Sequence, residues 1–364
     1  MAAGPESSFV AAQPSGRTPR SRSLALRAAL TVAVVVAVYF GVLPRLADFS
    51  EAGRQAVSMN GLDIAALGLL AIVSALTYAF VLTAVMPGLS LAQAVVVNQS
   101  STAVANTMPA GGALGVGVSY RFYGSWGHSP SAITLNVLLT GIANIACKLA
   151  LPVAALVLLA THGHTSTSLI VAAAVGLLVL AVVITVGAVG LARETVARQI
   201  GGVIGAISQK VRSWFRRPVR VDAADVAMRF RRQAIELLRR RGGRLTVGMV
   251  VYHITQFLLL FVALRAVGVT AEQVSWVQAL AAYSTASVLG ALPITPGGIG
   301  VLELGLVGAL IAAGGAHAEV VAAVLVYRTM SFLLPLPVGA ITYFVWRWNS
   351  RWRRAPSSLN VVPA

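Results

Sequence analysis

The sequence predicts an all-α polytopic membrane protein with about six full spans and two helical hairpins that enter the membrane without crossing it. The membrane class follows from composition, because 57% of the residues are hydrophobic, only 11% are charged and the mean hydropathy is +0.81. The hairpins are predicted because clustered proline and glycine interrupt two apolar stretches. Such breaks free backbone polar groups, and in a membrane these are tolerated only inside protein or beside water.

Positive charge is concentrated at the N-terminus, in a central loop and at the C-terminus, and the net charge is +17. The positive-inside rule therefore predicts that both termini and the loop are cytoplasmic. This distribution favours contact with anionic lipid over nucleic-acid binding, since no recognisable nucleic-acid module accompanies it. The preference for Arg over Lys is typical of a GC-rich bacterial genome, so we expect the bacterial plasma membrane.

The N-terminal half begins with residues 1–23, whose Pro, Ser, Gly and Arg content predicts a disordered basic tail. The apolar run Leu24–Leu43 predicts the first span, because no small-residue cleavage site follows it and its length exceeds that of a signal-peptide core. The Gly-rich segment 91–126 is predicted to be re-entrant, and the first membrane half covers 24–191. The other predicted spans of this half are 62–86, 131–160 and 168–191.

A basic loop is predicted at residues 192–244, which carry 14 basic and 4 acidic side chains with apolar residues at helical spacing. Basic amphipathic helices of this kind lie in the membrane interface. Two interpretations remain open, namely a topology determinant with solvated charges and a site of lipid regulation.

The second membrane half covers residues 245–346, and the basic tail 347–364 follows it. Its predicted elements are a span at 245–268, a re-entrant segment at 274–315 and a span at 318–346. If both broken segments return to the side that they entered, the first enters from the cytoplasm and the second from outside. The halves then form an inverted repeat, as in many transporters. Two full crossings per broken segment would preserve the same parity, so this pairing depends on the glycine breaks.

The outward helices of the two hairpins are predicted to begin near Gly112–Gly115 and Gly298–Val301. A helix N-terminus offers unpaired N–H groups and about half a positive charge, so it suits a phosphate. The alternative is that these glycines permit close helix packing. The candidate substrate-binding residues in the two breaks are Gly111, Gly112, Gly115, Pro296, Gly297, Gly298 and Gly300.

Three charged residues complete the candidate site. Lys148 and Arg328 lie well inside predicted spans, where a basic residue costs about 2.5–3.5 kcal/mol, so each is expected to face a cavity or a partner. Glu303 follows the second glycine pair within one turn. It either takes up a proton or pairs with Arg328, or it is simply a carboxylate that suits a helix N-terminus. His253 is expected to be a packed hydrogen-bond partner, on the same helix face as Gln256.

The motif Pro-Gly-Gly-x-Gly-x-x-Glu from Pro296 to Glu303, followed by Tyr327-Arg328, resembles the lysylphosphatidylglycerol synthase transmembrane-region family. The stretch from Pro109 to Arg121 resembles it too. The resemblance covers roughly residues 25–350 and implies a flippase-like fold that moves a lipid or lipid-linked headgroup between leaflets. Family members often carry an acidic residue soon after the first glycine motif, and its absence here weighs against a two-carboxylate mechanism.

Three functions are compatible with these features. The first is a flippase-like transporter of a lipid, expected to be anionic, or of a lipid-linked precursor. The second is a non-transporting partner of a separately encoded lipid-modifying enzyme, and the third is a membrane-embedded headgroup enzyme. The sequence shows no nucleophile elbow, P-loop or metal-ligand spacing, so we expect no enzyme, no cofactor and no metal. The soluble synthase domain of fused family members is not expected in the 18 residues after the last span.

Overall fold

The computed structural model describes residues 59–108, 111–161, 223–291 and 295–349, together with a few isolated positions. The predicted N-terminal tail, the spans 24–43 and 168–191 and the loop up to residue 222 lie outside these four ranges. The α-helices are α1 (Gly61–Val85), α2 (Leu91–Thr107), α3 (Gly111–Ser125), α4 (Pro130–Thr161), α5 (Ala223–Ala266), α6 (Trp276–Leu289), α7 (Val301–Ala312), α8 (His317–Arg328) and α9 (Pro335–Trp348). A short 3₁₀ turn (Pro296–Gly298) precedes α7, and a π turn (Thr329–Leu333) joins α8 to α9.

Four helical segments in the described ranges are long and apolar enough to cross a membrane. They are Gly61–Val85, Pro130–Thr161, Phe230–Ala266 and the continuous helical run His317–Trp348. Each overlaps a span that the sequence predicts, so the chain is an all-helical polytopic membrane protein in the part that the structure describes. The last segment is not a uniform α-helix, because the π turn interrupts it.

The predicted boundary at residue 244, between a basic loop and a span, lies inside a helix. Helix α5 runs through that position without a break, from Ala223 to Ala266. Ala234 and Leu245, on either side of the boundary, are both buried in one apolar cluster with α1 and α4. The basic residues before residue 244 make the exposed surface of the helix more polar, but they do not end the helix. The boundary was predicted because the amino-acid composition changes at that position.

The two broken segments each form a pair of short helices. Helices α2 and α3 occupy the segment predicted at 91–126, and α6 and α7 occupy the one at 274–315. At 1.5 Å per residue the four helices measure between about 18 and 26 Å, which is shorter than the ~30 Å hydrocarbon core. Glycine contacts show that α2 and α3 run antiparallel, because Gly111 lies beside Ala105 and Gly115 beside Ser101.

The helix contacts of the two halves correspond. Helix α2 packs against α9, the last helix of the other half, and α6 likewise packs against α4. The first helices of the halves, α1 and α5, pack against each other. One large apolar cluster surrounds the second hairpin with α5 and α8, while another surrounds the first hairpin with the end of α1 and Trp346 of α9. Each hairpin therefore has an apolar core of its own.

Close packing within the first hairpin requires glycine at two of the predicted site residues. A Cβ at Gly115 would lie 2.8 Å from the Ser101 carbonyl oxygen, and one at Gly111 would overlap the Ala105 carbonyl. At Gly112 a Cβ would meet nothing within 4 Å, and this residue is exposed. Gly111 and Gly115 therefore permit close helix packing, which the sequence analysis gave as the alternative to phosphate binding. Gly112 does not have this packing role.

We expect Gly115→Ala to lower the melting temperature of the detergent-solubilised protein, with a cost of roughly 1–3 kcal/mol from overpacking against the α2 backbone. Gly117→Ala is the matched control, because it lies on the same helix with no atom within 4 Å of the added methyl. That control should leave stability unchanged or raise it by up to about 1 kcal/mol through helix propensity. Equal melting temperatures for the two variants would contradict the packing role of Gly115.

Candidate functional site

The second break, before α7, has a backbone that only glycine adopts readily. Gly297, Gly298 and Gly300 have φ angles of 62°, 69° and 83°. A Cβ at Gly297 would lie 2.5 Å from the Phe332 ring, and one at Gly298 would lie 3.0 Å from the Gly290 carbonyl oxygen. The Gly-Gly-x-Gly pattern therefore allows the chain to turn tightly against its own hairpin and against the π turn.

Glu303 and Arg328 form a buried ion pair beside this break. The Arg328 Nε donates to Glu303 Oε1 at 2.6 Å, and the two residues are only 5% and 1% exposed. The Gly300 N–H donates to Glu303 Oε2 at 2.8 Å, while Arg328 Nη2 donates to the Gly297 carbonyl at 3.3 Å. Of the three alternatives for Glu303, the pairing with Arg328 and the helix-capping role are present together, because one carboxylate makes both contacts.

The tips of the two hairpins meet around Phe332. Its ring lies under the Arg328 guanidinium, with 4.5 Å from the guanidinium carbon to the ring centroid. Asn106, near the end of α2, donates to the Phe332 carbonyl at 3.5 Å, and Gly297 lies against the ring. The π turn places Phe332 here, because the Leu334 N–H bonds back to Thr329, five residues earlier, and Pro335 follows. Such π turns are frequent at functional sites.

A cavity of about 580 Å³ lies beside this junction, between α1, α2, α3, α4, α5 and the π turn. Small-molecule sites in proteins typically have volumes of ~300–1,000 Å³. Its polar lining includes Tyr78, Asn98, Gln99, Thr102, Asn144 and Gln256. Of the described residues that line it, none carries a formal charge. The lining therefore combines neutral polar groups with apolar surface, and the charged residues predicted from the sequence lie elsewhere.

The predicted site residues separate into three places. Gly112 and Gly115 line the cavity. The ion pair and the second glycine break lie next to it, at the Phe332 junction. Lys148 lies half-buried on α4, one turn after Asn144, and forms no ion pair within the described part of the chain. Pro296 begins the 3₁₀ turn.

None of the site residues predicted from the sequence lies on α2 or α5, although polar side chains of both helices line the cavity. His253 is buried and bonds to Asn144 Oδ1 at 3.0 Å, as a packed hydrogen-bond partner should. Gln256 lines the cavity and accepts from the Ser74 hydroxyl at 3.1 Å. The signal for the cavity was the run Asn98-Gln99-Ser100-Ser101-Thr102, since consecutive polar side chains in an apolar helix need partners or water.

Helices that span a membrane, two glycine-broken hairpins and a polar cavity at their junction define the class of an integral membrane protein with a buried polar site. The sequence model of the family described as the lysylphosphatidylglycerol synthase TM region matches residues 27–339. The chain belongs to that family, which confirms the resemblance noted from the Pro-Gly-Gly motif. A comparison with curated proteins gives no match.

We expect Glu303→Gln and Arg328→Leu each to destabilise the protein by about 3–5 kcal/mol, because each leaves a buried partner uncompensated. The double variant Glu303→Leu/Arg328→Met should melt closer to the wild type than either single variant, since it removes both charges. Melting temperatures in detergent measure all three.

The control is Glu236→Gln, which breaks the exposed Glu236–Arg240 pair of α5, where the distance is also 2.6 Å but the side chains are 63% and 77% exposed. That change should cost less than ~1 kcal/mol. Similar melting temperatures for Glu303→Gln and Glu236→Gln would show that the buried pair does not stabilise the fold.

Proposed function

We propose that this protein is a transporter, not an enzyme, that moves a lipid or lipid-linked precursor between the leaflets of the bacterial plasma membrane. The observation that carries the proposal is the cavity of about 580 Å³, which is lined by neutral polar and apolar side chains from helices of both halves. Buried polar surface inside a membrane protein is costly and marks a substrate path. Family membership supports an integral membrane protein of this kind.

The proposed topology has the N- and C-termini in the cytoplasm and the hairpins entering from opposite faces. The reciprocal packing of α2 with α9 and of α6 with α4 supports it, because an inverted repeat would place these pairs in equivalent positions. Four helices shorter than the ~30 Å hydrocarbon core support re-entrance. Transport would then proceed by rocking one half against the other around the cavity.

The buried ion pair would couple the second hairpin to the cavity wall. Arg328 is the last residue of α8, and the π turn that follows carries Met330 and Ser331 into the cavity lining. The bond from Arg328 to Glu303 ties this turn to the start of α7. A displacement of the second hairpin would therefore move one wall of the cavity, so Arg328 acts as a positioning residue in this conformation.

An anionic headgroup is supported at the start of α3. Gly112 lies in the first turn of that helix and lines the cavity. The N-terminus of a helix carries about half a positive charge, which favours a phosphate. Arg328, which the sequence suggested for this task, is already neutralised by Glu303. The α3 N-terminus would thus be the element that binds a lipid phosphate.

A partner role for a separately encoded lipid-modifying enzyme is the second candidate. The basic N-terminal part of α5 favours it, since Arg232, Arg239 and Arg240 are exposed there. Such a surface suits an acidic partner as well as anionic lipid. Loss of function after their replacement by Gln, with lipid movement by the purified protein intact, would select this candidate.

We expect Gly112→Leu to slow lipid movement about tenfold, equivalent to ~1.4 kcal/mol, because the new side chain would extend from the edge of the cavity, where an added Cβ meets no atom within 4 Å. The assay follows acyl-labelled phosphatidylglycerol and phosphatidylinositol in liposomes that contain the purified protein, with dithionite bleaching the outer leaflet. Gly117→Leu is the matched control, as it lies on α3, is exposed and does not line the cavity. Equal rates for the two variants would contradict passage through this cavity, and no movement by the wild type would contradict transport.

A further inference from the structure

The cavity wall has a chemical character that the proposed function does not explain. It presents hydroxyl and amide groups from α1, α2, α4 and α5, and none of the lining residues in the described ranges is Asp, Glu, Lys, Arg or His. A cationic headgroup would meet no carboxylate there, and a bare phosphate would meet no basic side chain. Neutral donors and acceptors in this density suit a ligand that is itself neutral and rich in hydroxyl groups.

Three side chains of α2 are available to such a ligand. Asn98 and Thr102 lie one turn apart on the same helix face, and both line the cavity. Gln99 also lines it, although the residue is only 7% exposed. None of the three side chains makes a hydrogen bond to another described residue, whereas Ser101 and Thr107 on the same helix bond to backbone carbonyls. Asn98 and Thr102 are partly exposed, so their polar atoms are open to a ligand or to water in the cavity.

Aromatic rings complete the wall. Tyr78 of α1 and Tyr252 of α5 line the cavity with their rings in edge-to-face contact, 4.9 Å between centroids. Tyr123 of α3 lines it as well. A tyrosine offers an apolar face and a hydroxyl group in one side chain. The C–H face of a six-membered polyol ring packs on such a surface, while its hydroxyl groups reach the surrounding amides.

We propose that the cavity binds an uncharged polyhydroxyl ring, a hexose or a cyclitol, carried as part of the headgroup of the transported lipid. This inference rests on the proposed function, and it adds the substrate class. A phosphate that links the ring to the lipid would lie at the start of α3, beside Gly112, while the ring occupies the neutral cavity. Asn98, Gln99 and Thr102 would donate to and accept from the ring hydroxyls.

Three lipids with the same labelled acyl chain test the inference in liposomes that contain the full chain. Glucosyl diacylglycerol has a ring without phosphate, phosphatidylinositol has both, and phosphatidic acid has phosphate without a ring. We expect the protein to move the first two and not phosphatidic acid. The variant Asn98→Leu/Thr102→Val should slow both ring-bearing lipids by roughly tenfold, since it removes two hydrogen-bonding side chains. Thr107→Val is the matched control, because it is on α2 but does not line the cavity.

The possible outcomes separate this inference from the proposed function. Movement of phosphatidic acid as fast as phosphatidylinositol, with no effect of the double variant, would overturn the inference and leave lipid transport in place. If none of the lipids moves, transport is contradicted, and native mass spectrometry then measures which lipids stay bound to the protein. Stronger binding of glucosyl diacylglycerol than of phosphatidic acid, with the difference lost in the double variant, would support the inference. Equal binding of the two lipids would overturn it. Uptake of radiolabelled glucose or inositol without lipid movement would support the polyol chemistry and contradict a lipid as its source.

Discussion

The bond between Glu303 and Arg328 is the interaction on which the geometry of this protein depends. The glycine break before α7 leaves backbone groups without helical partners. Within a membrane such groups need a partner in the protein or water. Glu303 accepts from the Gly300 N–H, and Arg328 donates to the Gly297 carbonyl. The pair therefore provides hydrogen-bond partners for two backbone groups of the break, while its two charges neutralise each other. A buried ion pair is weak evidence of stability, but the loss of one partner is costly. The sequence therefore has to keep both residues or neither.

The pair also explains why the two hairpins share one junction. Arg328 ends α8, and its guanidinium packs over Phe332 in the π turn. Phe332 in turn contacts Gly297 of the second hairpin and accepts from Asn106 of the first. Pro335 limits where the next α-helix can begin, since it has no N–H to donate. The cavity lies on the other side of this turn, so charge is kept in the junction and neutral polar groups in the cavity.

The parts of the fold that depend on local sequence patterns could be predicted from the sequence. Hydropathy and the glycine-proline clusters placed α1, α4 and both hairpins close to their observed bounds. The continuity of α5 could not be predicted, because Arg239 to Arg244 changes only the exposed surface of a helix whose other face packs at Ala234. The pairing of Glu303 with Arg328 was one of the predicted alternatives, but choosing it required the tertiary position of α8. The polar run of α2 indicates that its side chains need partners or water, but the position of the cavity depends on side chains of five helices that no local pattern brings together.

The central claim is that the two hairpins enter from opposite faces of the membrane and meet at Phe332. Accessibility labelling tests it most directly, because Cys147 is the only cysteine of the chain and Cys147→Ser gives a clean background. Single cysteines at Pro87, before the first hairpin, and at Glu272, before the second, lie at exposed positions. In intact cells a membrane-impermeant maleimide should label Glu272→Cys, and it should label Pro87→Cys only after permeabilisation. Labelling of both cysteines from the same side would contradict the account.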